Sequence, residues 1–154
     1  MSPRLCHTGG QKARISTDGT NLSIVVTELY VAEVFVPVNM AATCVAVLNG
    51  SVVAGNMQCA LYDANGLLVA TTASTAASGI AAYQQVPFTA VANLKGPAKY
   101  FVGVQNNNIA NRLRTHALGN FGASKKTAQT YGTFVSLTVP TTFTTGVGPV
   151  ADLY

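Results

Sequence analysis

Short apolar segments separated by turn residues recur along most of the chain. They are rich in β-branched and aromatic residues and occupy positions 24–26 with 29–36, 43–48, 57–62, 67–70, 84–89, 99–105, 112–118 and 134–139. No segment shows the 3.6-residue apolar period and caps of a helix. Runs of this length between frequent turn signals are typical of sandwiches and barrels. The pattern therefore predicts an all-β fold: a single β-sandwich or jelly-roll-like domain of about eight strands.

Individual turns and strands follow from the same pattern. The clearest hairpin joins 57–62 to 67–70 through Asp63–Gly66, where Asp63 is expected to accept backbone hydrogen bonds. Asn49-Gly50 predicts a tight turn, because these residues readily adopt positive φ. Pro37 predicts a strand end or an edge strand, since proline cannot donate to a ladder.

Five further segments lead to predictions. In 99–105, alternation predicts that Tyr100, Val102 and Val104 form a buried row and that the odd positions face outwards. The segment 134–139 predicts the last strong strand, whereas 119–132 is polar and is expected to be flexible. Residues 1–20 and 140–154 predict extended arms that flank a sandwich over 21–139.

The composition indicates a surface with unusually few charged residues. Charged residues make up only 9% of the 154 residues, against about 25% in ordinary soluble domains. Two explanations remain open: a surface of neutral polar residues, or a surface covered by neighbours in an assembly. We expect no signal peptide, because the polar and basic residues 1–15 lack an apolar central region, and no apolar run approaches the ~20 residues that cross a bilayer.

The charges that are present are distributed unevenly. No acid occurs between Asp63 and Asp152, and this interval holds six of the nine basic residues. Such a bias favours an acidic partner. Nucleic acid is not expected, because the basic residues are dispersed and no recognised nucleic-acid-binding motif accompanies them. The candidate partner-contact residues are Arg4, Lys12, Arg14, Arg112, Arg114, Lys125, Lys126 and Tyr154.

Catalytic and metal-binding arrangements are not recognisable in the sequence. Glu28 and Glu33 are odd-spaced, so on one strand they point to opposite faces. His7 and His116 lie far apart, and His116 is interpreted as a surface or interface residue. The three cysteines lack metal-ligand spacing and are expected to be reduced apolar fillers without a Cys44–Cys59 disulfide. We expect no enzyme activity, no cofactor and no metal.

Five segments carry distinctive local motifs: Leu48-Asn49-Gly50-Ser51, the hairpin Leu61–Ala70, Tyr83–Ala90, Lys95–Tyr100 and the tail Thr141–Pro149. In these segments the chain resembles small virion proteins of tailed bacteriophages and prophages. The resemblance covers roughly residues 27–154 and leaves the N-terminal arm unmatched. It implies a β-sandwich and a structural role in the particle, best fitted by a head decoration (cement) protein.

This resemblance also implies partners and a location. The chain would bind the major capsid protein or another virion protein, form a dimer or trimer, and lie on the capsid surface after synthesis in the host cytoplasm. The alternatives are a tail or fibre component, or a carbohydrate- or receptor-binding module. The two arms are expected to extend along neighbouring subunits, and deletion of residues 1–14 is expected to weaken attachment without unfolding the domain.

Overall fold

Twelve antiparallel strands make up the regular structure of a computed structural model that describes residues 6–10 and 19–154. No helix occurs in this part of the chain. The strands are β1 (Cys6–His7), β2 (Thr20–Ser23), β3 (Leu29–Val36), β4 (Met40–Leu48), β5 (Asn56–Tyr62), β6 (Leu68–Thr71), β7 (Thr75–Ala76), β8 (Tyr83–Leu94), β9 (Ala98–Asn106), β10 (Arg112–Thr115), β11 (Ala123–Lys126) and β12 (Ala151–Leu153). The all-β prediction is confirmed.

Two sheets form a sandwich-like arrangement, and a strand pair supplements it. The first sheet has the order β1-β12-β4-β8. The second has the order β11-β3-β9-β5-β6, with β7 also paired to β5. The pair β10-β2 adjoins the first sheet through single bridges from Leu113 to Asn49 and from Thr115 to Pro149.

The main core lies between these two sheets. Tyr100, Val102 and Val104 of β9 belong to it, as the alternation predicted. The expectation that the odd positions of β9 face outwards is wrong, because Phe101 is 2% exposed and Gln105 is fully buried. Strand β9 of the second sheet is therefore buried on both of its faces.

A non-strand segment covers the outer face of the second sheet. Leu137 is buried against side chains of three strands, and Phe134 and Val139 pack beside it. The prediction of a strand over 134–139 is wrong: the backbone there joins no ladder, and its contact with the turn after β5 is the bond from Leu137 N to Gly66 O (2.8 Å). The apolar residues of the segment serve to cover a sheet face.

Both chain ends that the structure describes enter the first sheet. Residues 140–150 are mostly irregular, as expected of a tail, but β12 lies between β1 and β4 with all three residues buried. The expectation that the whole of 140–154 is irregular is therefore wrong at β12. Thr8, which follows β1, donates its N–H to Ala151 O (2.9 Å) and bridges to Val34 of the second sheet. Residues 6–8, which we call the N-terminal segment, thus link the two sheets at one side of the sandwich.

The turn predictions have mixed outcomes. The hairpin of β5 and β6 is confirmed, and Asp63 Oδ1 accepts the N–H groups of Asn65 (2.8 Å) and Leu67 (3.0 Å). Asn49-Gly50 forms no tight hairpin turn, because the strands on either side of it belong to different sheets. Asn49 is instead fully buried, and its amide donates to Ser78 O (2.7 Å).

Shorter strand predictions also differ from the structure. Residues 24–26 lie outside any strand, and the strand predicted over 84–89 extends through Pro87 to Leu94, although its pairing with β4 is irregular between Pro87 and Ala92. Proline is tolerated there because β8 is at the edge of its sheet. The segment 119–132 contains strand β11. All three cysteines are free, and Cys44 and Cys59 lie in different sheets, which confirms that they form no disulfide.

Candidate functional site

Of the eight candidate contact residues, Arg4, Lys12 and Arg14 lie outside the described residues. Arg112 is half-buried on β10, and its Nη1 donates to the carbonyl oxygens of the three preceding residues (3.1–3.2 Å). Arg114, on the same face of β10, is also half-buried, and the N–H of Val150 donates to its carbonyl (3.0 Å). The Arg112 side chain thus holds the turn before β10.

The two lysines of β11 are bound to groups of the chain itself. Lys125 Nζ lies 2.7 Å from Glu28 Oε1, and the Tyr30 hydroxyl donates to Glu28 Oε2 (2.6 Å). Burial acts to raise the pKa of Glu28, but the bonds from Lys125 and Tyr30 outweigh it, so that this pKa lies below its usual value. Lys126 Nζ donates to Ser136 O (3.0 Å) and so helps to hold the segment 134–139 on the second sheet.

Tyr154 continues the pairing of β12 with β4. Its N–H donates to Cys44 O (3.1 Å), and its carbonyl accepts the N–H of Thr43. The side chain of Tyr154 is half-buried. Its backbone is therefore committed to the first sheet.

A run of exposed apolar side chains lies where the edges of the two sheets meet. Leu67, Leu68 and Val69 are 57%, 42% and 39% exposed, and Val91 of β8 is 57% exposed. We call these four residues the edge patch. Isolated exposed apolar residues are ordinary on protein surfaces, but a consecutive run of three is not expected unless it has a function.

The edge patch borders a groove of about 260 Å³ between β6 and β8. The groove is lined by 68–71 and 89–91 and contains no charged residue. One bridge, Thr72 to Phe88, and one hydrogen bond, Thr89 Oγ1 to Thr71 O (3.2 Å), join the two edges here. Proteins commonly protect strand edges with charges, and an uncharged apolar edge is a site for pairing with another chain.

The sequence contains a signal for the edge patch that the strand prediction did not use. A half-exposed hairpin strand normally alternates apolar and polar residues. The run Leu67-Leu68-Val69-Ala70 does not alternate and follows immediately after a turn. Continuous apolar character on a short strand indicates burial on both faces, yet residues 6–10 and 19–154 leave Leu68 and Val69 of β6 exposed.

His116 lies beside the N-terminal segment and not on an open surface. Its ring meets Phe121 edge to face (5.0 Å between centroids), and its Nε2 lies 2.9 Å from Thr8 Oγ1. Burial lowers the pKa of His116 from 6.5 to about 4. The ring is therefore neutral at physiological pH, and its position indicates a structural role.

Metal-ligand geometry is not found in the part of the chain that the structure describes, where no three His, Cys, Asp or Glu side chains come together. Within the same residues, no helix is long and apolar enough to span a membrane. Comparisons with protein-family models, curated proteins and solved structures find no match to this chain.

Proposed function

We propose that this chain is a non-enzymatic structural protein of a virus particle, a capsid decoration protein that binds the outside of a tailed-phage head. The observation that carries the proposal is the edge patch, an uncharged apolar strand edge that the described part of the chain leaves exposed. The resemblance of the segments within residues 27–154 to phage virion proteins supplies the kind of particle.

Strand addition is the mode of attachment that fits such an edge. An extended partner segment gains main-chain hydrogen bonds along a strand edge, and the neighbouring pockets select its side chains. The groove beside Leu68 and Val91 would take small apolar side chains, because it is narrow and contains no charge. The partner segment is accordingly an uncharged stretch of the shell protein.

Attachment at many equivalent positions compensates for the modest size of this contact. A groove of about 260 Å³ provides little binding energy alone. A dimer or trimer that engages several shell subunits at once converts weak contacts into high avidity. We therefore expect the chain to act as a homo-oligomer. Attachment is expected at the edge patch and not at the C-terminal residues, because β12 is already paired in the first sheet.

The first experiment is the copy number of the chain in purified particles from its source, measured by quantitative mass spectrometry against the major shell protein. Hundreds of copies in a simple ratio to the shell subunit are expected. Absence from particles would overturn the virion assignment.

A variant pair tests the docking surface itself. Leu68→Lys places a charge in the groove and is expected to lower particle occupancy by at least about tenfold. Ile109→Lys is the matched control, since Ile109 is 72% exposed and lies outside the groove. Equal occupancy of both variants would refute attachment through the edge patch.

A tail component that binds a receptor is the second candidate function. It is favoured by a cleft on another part of the surface, lined by polar and aromatic side chains. A copy number of a few to a few dozen per particle would support this candidate in place of decoration.

A further inference from the structure

A cleft of about 540 Å³ opens between the second sheet and the loops that precede β11 and β12. Its walls are Glu33, Lys99, Phe101, 119–122 and 139–143, together with Ala64. This volume is within the range of small-ligand sites, about 300–1,000 Å³. The cleft is separate from the edge patch, with which it shares no residue.

Glu33 and Lys99 face each other in the cleft at a distance longer than a normal charge-assisted hydrogen bond. Lys99 Nζ lies 3.5 Å from Glu33 Oε2, whereas the Lys125–Glu28 pair is closed at 2.7 Å. Charge-assisted hydrogen bonds are ordinarily about 2.7–2.9 Å long. Glu33 Oε2 also accepts the N–H of Gly122 (3.0 Å), which fixes the carboxylate in place. The ammonium and the other carboxylate oxygen thus keep hydrogen-bonding capacity for a ligand.

Aromatic rings provide an apolar wall beside this pair. Phe121 and Phe143 meet edge to face with centroids 5.1 Å apart, and both are half-buried. The ring of Phe121 is also held by His116 on another side. The rings are therefore fixed in orientation and partly open to the cleft.

Neutral hydrogen-bonding groups complete the lining. Asn120, Thr141 and Thr142 are exposed at the cleft, and their side chains make no hydrogen bond to the described residues. An amide both donates and accepts, and so does a hydroxyl. The site therefore offers donors and acceptors in similar number around an apolar wall.

This combination selects a neutral, polyhydroxylated ligand. Neither a simple anion nor a simple cation gains much net attraction here, because the charges of Glu33 and Lys99 are adjacent and opposite and largely cancel. A pair of neighbouring hydroxyl groups satisfies both, since one can donate to the carboxylate while the other accepts from the ammonium. The C–H face of a sugar ring is apolar and can pack on a phenylalanine.

We propose that this cleft binds a neutral saccharide, with a pyranose ring against Phe121 and Phe143 and adjacent hydroxyls on Glu33 and Lys99. Binding at this site does not depend on the position of the chain in a particle. A single sugar ring has few non-hydrogen atoms, so the expected dissociation constant for one ring is about 1 mM.

Nitrogen-15 NMR of the whole isolated chain tests the proposal. The probes are the methyl pyranosides of glucose, galactose and mannose, and N-acetylglucosamine. At least one is expected to shift the amide signals of Gly122 and its neighbours in a saturable way. Saturable shifts confined to residues away from the cleft, or no shift with any probe, would overturn the proposal.

Two variants and one control tie the binding to the named groups. Lys99→Gln and Asn120→Ala are each expected to weaken binding by about tenfold, because the first replaces a charged donor with a shorter neutral one and the second removes a hydrogen bond to the sugar. Lys95→Gln is the matched control: Lys95 is exposed and lies outside the cleft. Thermal unfolding of all three checks that the fold is retained. Unchanged binding in both cleft variants would refute the assignment.

The charge of the preferred sugar provides a further test. Glucuronate has the same ring with a carboxylate in place of the hydroxymethyl group, so it is expected to bind more weakly than methyl glucoside. Tighter binding of glucuronate would overturn the assignment of a neutral ligand. Failure of this site is distinguishable from failure of the decoration proposal, because particle occupancy is measured separately with Leu68→Lys.

Discussion

Protonation of His116 is expected to destabilise the fold between neutral pH and about pH 4. The Thr8 hydroxyl donates to Pro149 O (2.8 Å) and accepts the N–H of Ala151 (3.0 Å). Since its single proton is used, its bond to His116 requires that the Nε2 of the ring carries the hydrogen. The neutral ring thus completes the bonding that fastens the N-terminal segment to the chain around β12.

The direction and magnitude of this change in the free energy of unfolding follow from the lowered pKa of His116. The folded state binds the proton at about pH 4 and the unfolded chain at about 6.5, so this stabilisation is fully present above pH 6.5 and is lost as the pH falls towards 4. The difference corresponds to at most about 3 kcal/mol. Because the ring is only half-buried, screening by water reduces the expected loss to about 1–2 kcal/mol.

Urea unfolding at about pH 7.5 and about pH 5 measures somewhat more than half of this loss, since the rest develops below pH 5. The chain has six tyrosines and no tryptophan, so tyrosine fluorescence and circular dichroism are the two probes. Glu28 remains ionised across this interval, since its pKa is held below its usual 4.5. Proton NMR of the His116 ring gives the pKa directly.

The matched variant is His116→Gln, which retains a donor near the position of Nε2 but cannot be protonated in this range. We expect it to lose less stability on acidification than the natural chain does. If both proteins lose the same free energy of unfolding, or if the His116 ring titrates near 6.5, the reasoning from burial is wrong.

Other substitutions test the packing and the buried thiols. Leu137→Ala is expected to cost about 2–4 kcal/mol of unfolding free energy, because Leu137 covers the outer face of the second sheet; Val135→Ala, at an exposed neighbour, should change it by less than about 0.5 kcal/mol. Thr72→Val leaves the buried N–H of Cys59 without its acceptor (2.9 Å) and is expected to cost about 1–3 kcal/mol, while Thr72→Ser keeps the oxygen and should cost less; urea unfolding distinguishes them. Burial raises the pKa of Cys59 to about 12, so this thiol should react with Ellman's reagent only after unfolding; rapid labelling of the folded chain would contradict its burial.

Local sequence patterns predict this fold where neighbouring residues determine the structure. The hairpin around Asp63 is an example, because the turn chemistry and the pairing partner lie within a few residues of one another. The alternation that assigned Val102 and Val104 to the core also holds. These features depend on period-two geometry and turn preference alone.

The wrong predictions concern long-range contacts. The segment 134–139 has strand-like residues, but which surface it covers depends on the face of a sheet assembled from distant strands. Asn49 appears in sequence as a turn residue, yet its amide is used to bond Ser78 and Gln84. Local patterns do not predict the cleft, since it combines residues from elements that are far apart in the chain; for the edge patch, the run from Leu67 to Val69 is local, but its position beside Val91 of β8 is not.

The position of β12 has a consequence for the order of events during protein synthesis. Cys6 pairs with Leu153, so β1 joins its sheet only through residues that leave the ribosome almost a whole domain later. Until then one edge of β4 is unpaired, although its other edge can already pair with β8. Contacts between such distant residues fold slowly. The nascent chain is therefore expected to persist as an incomplete sandwich with an open strand edge, the state in which a chaperone would protect it most.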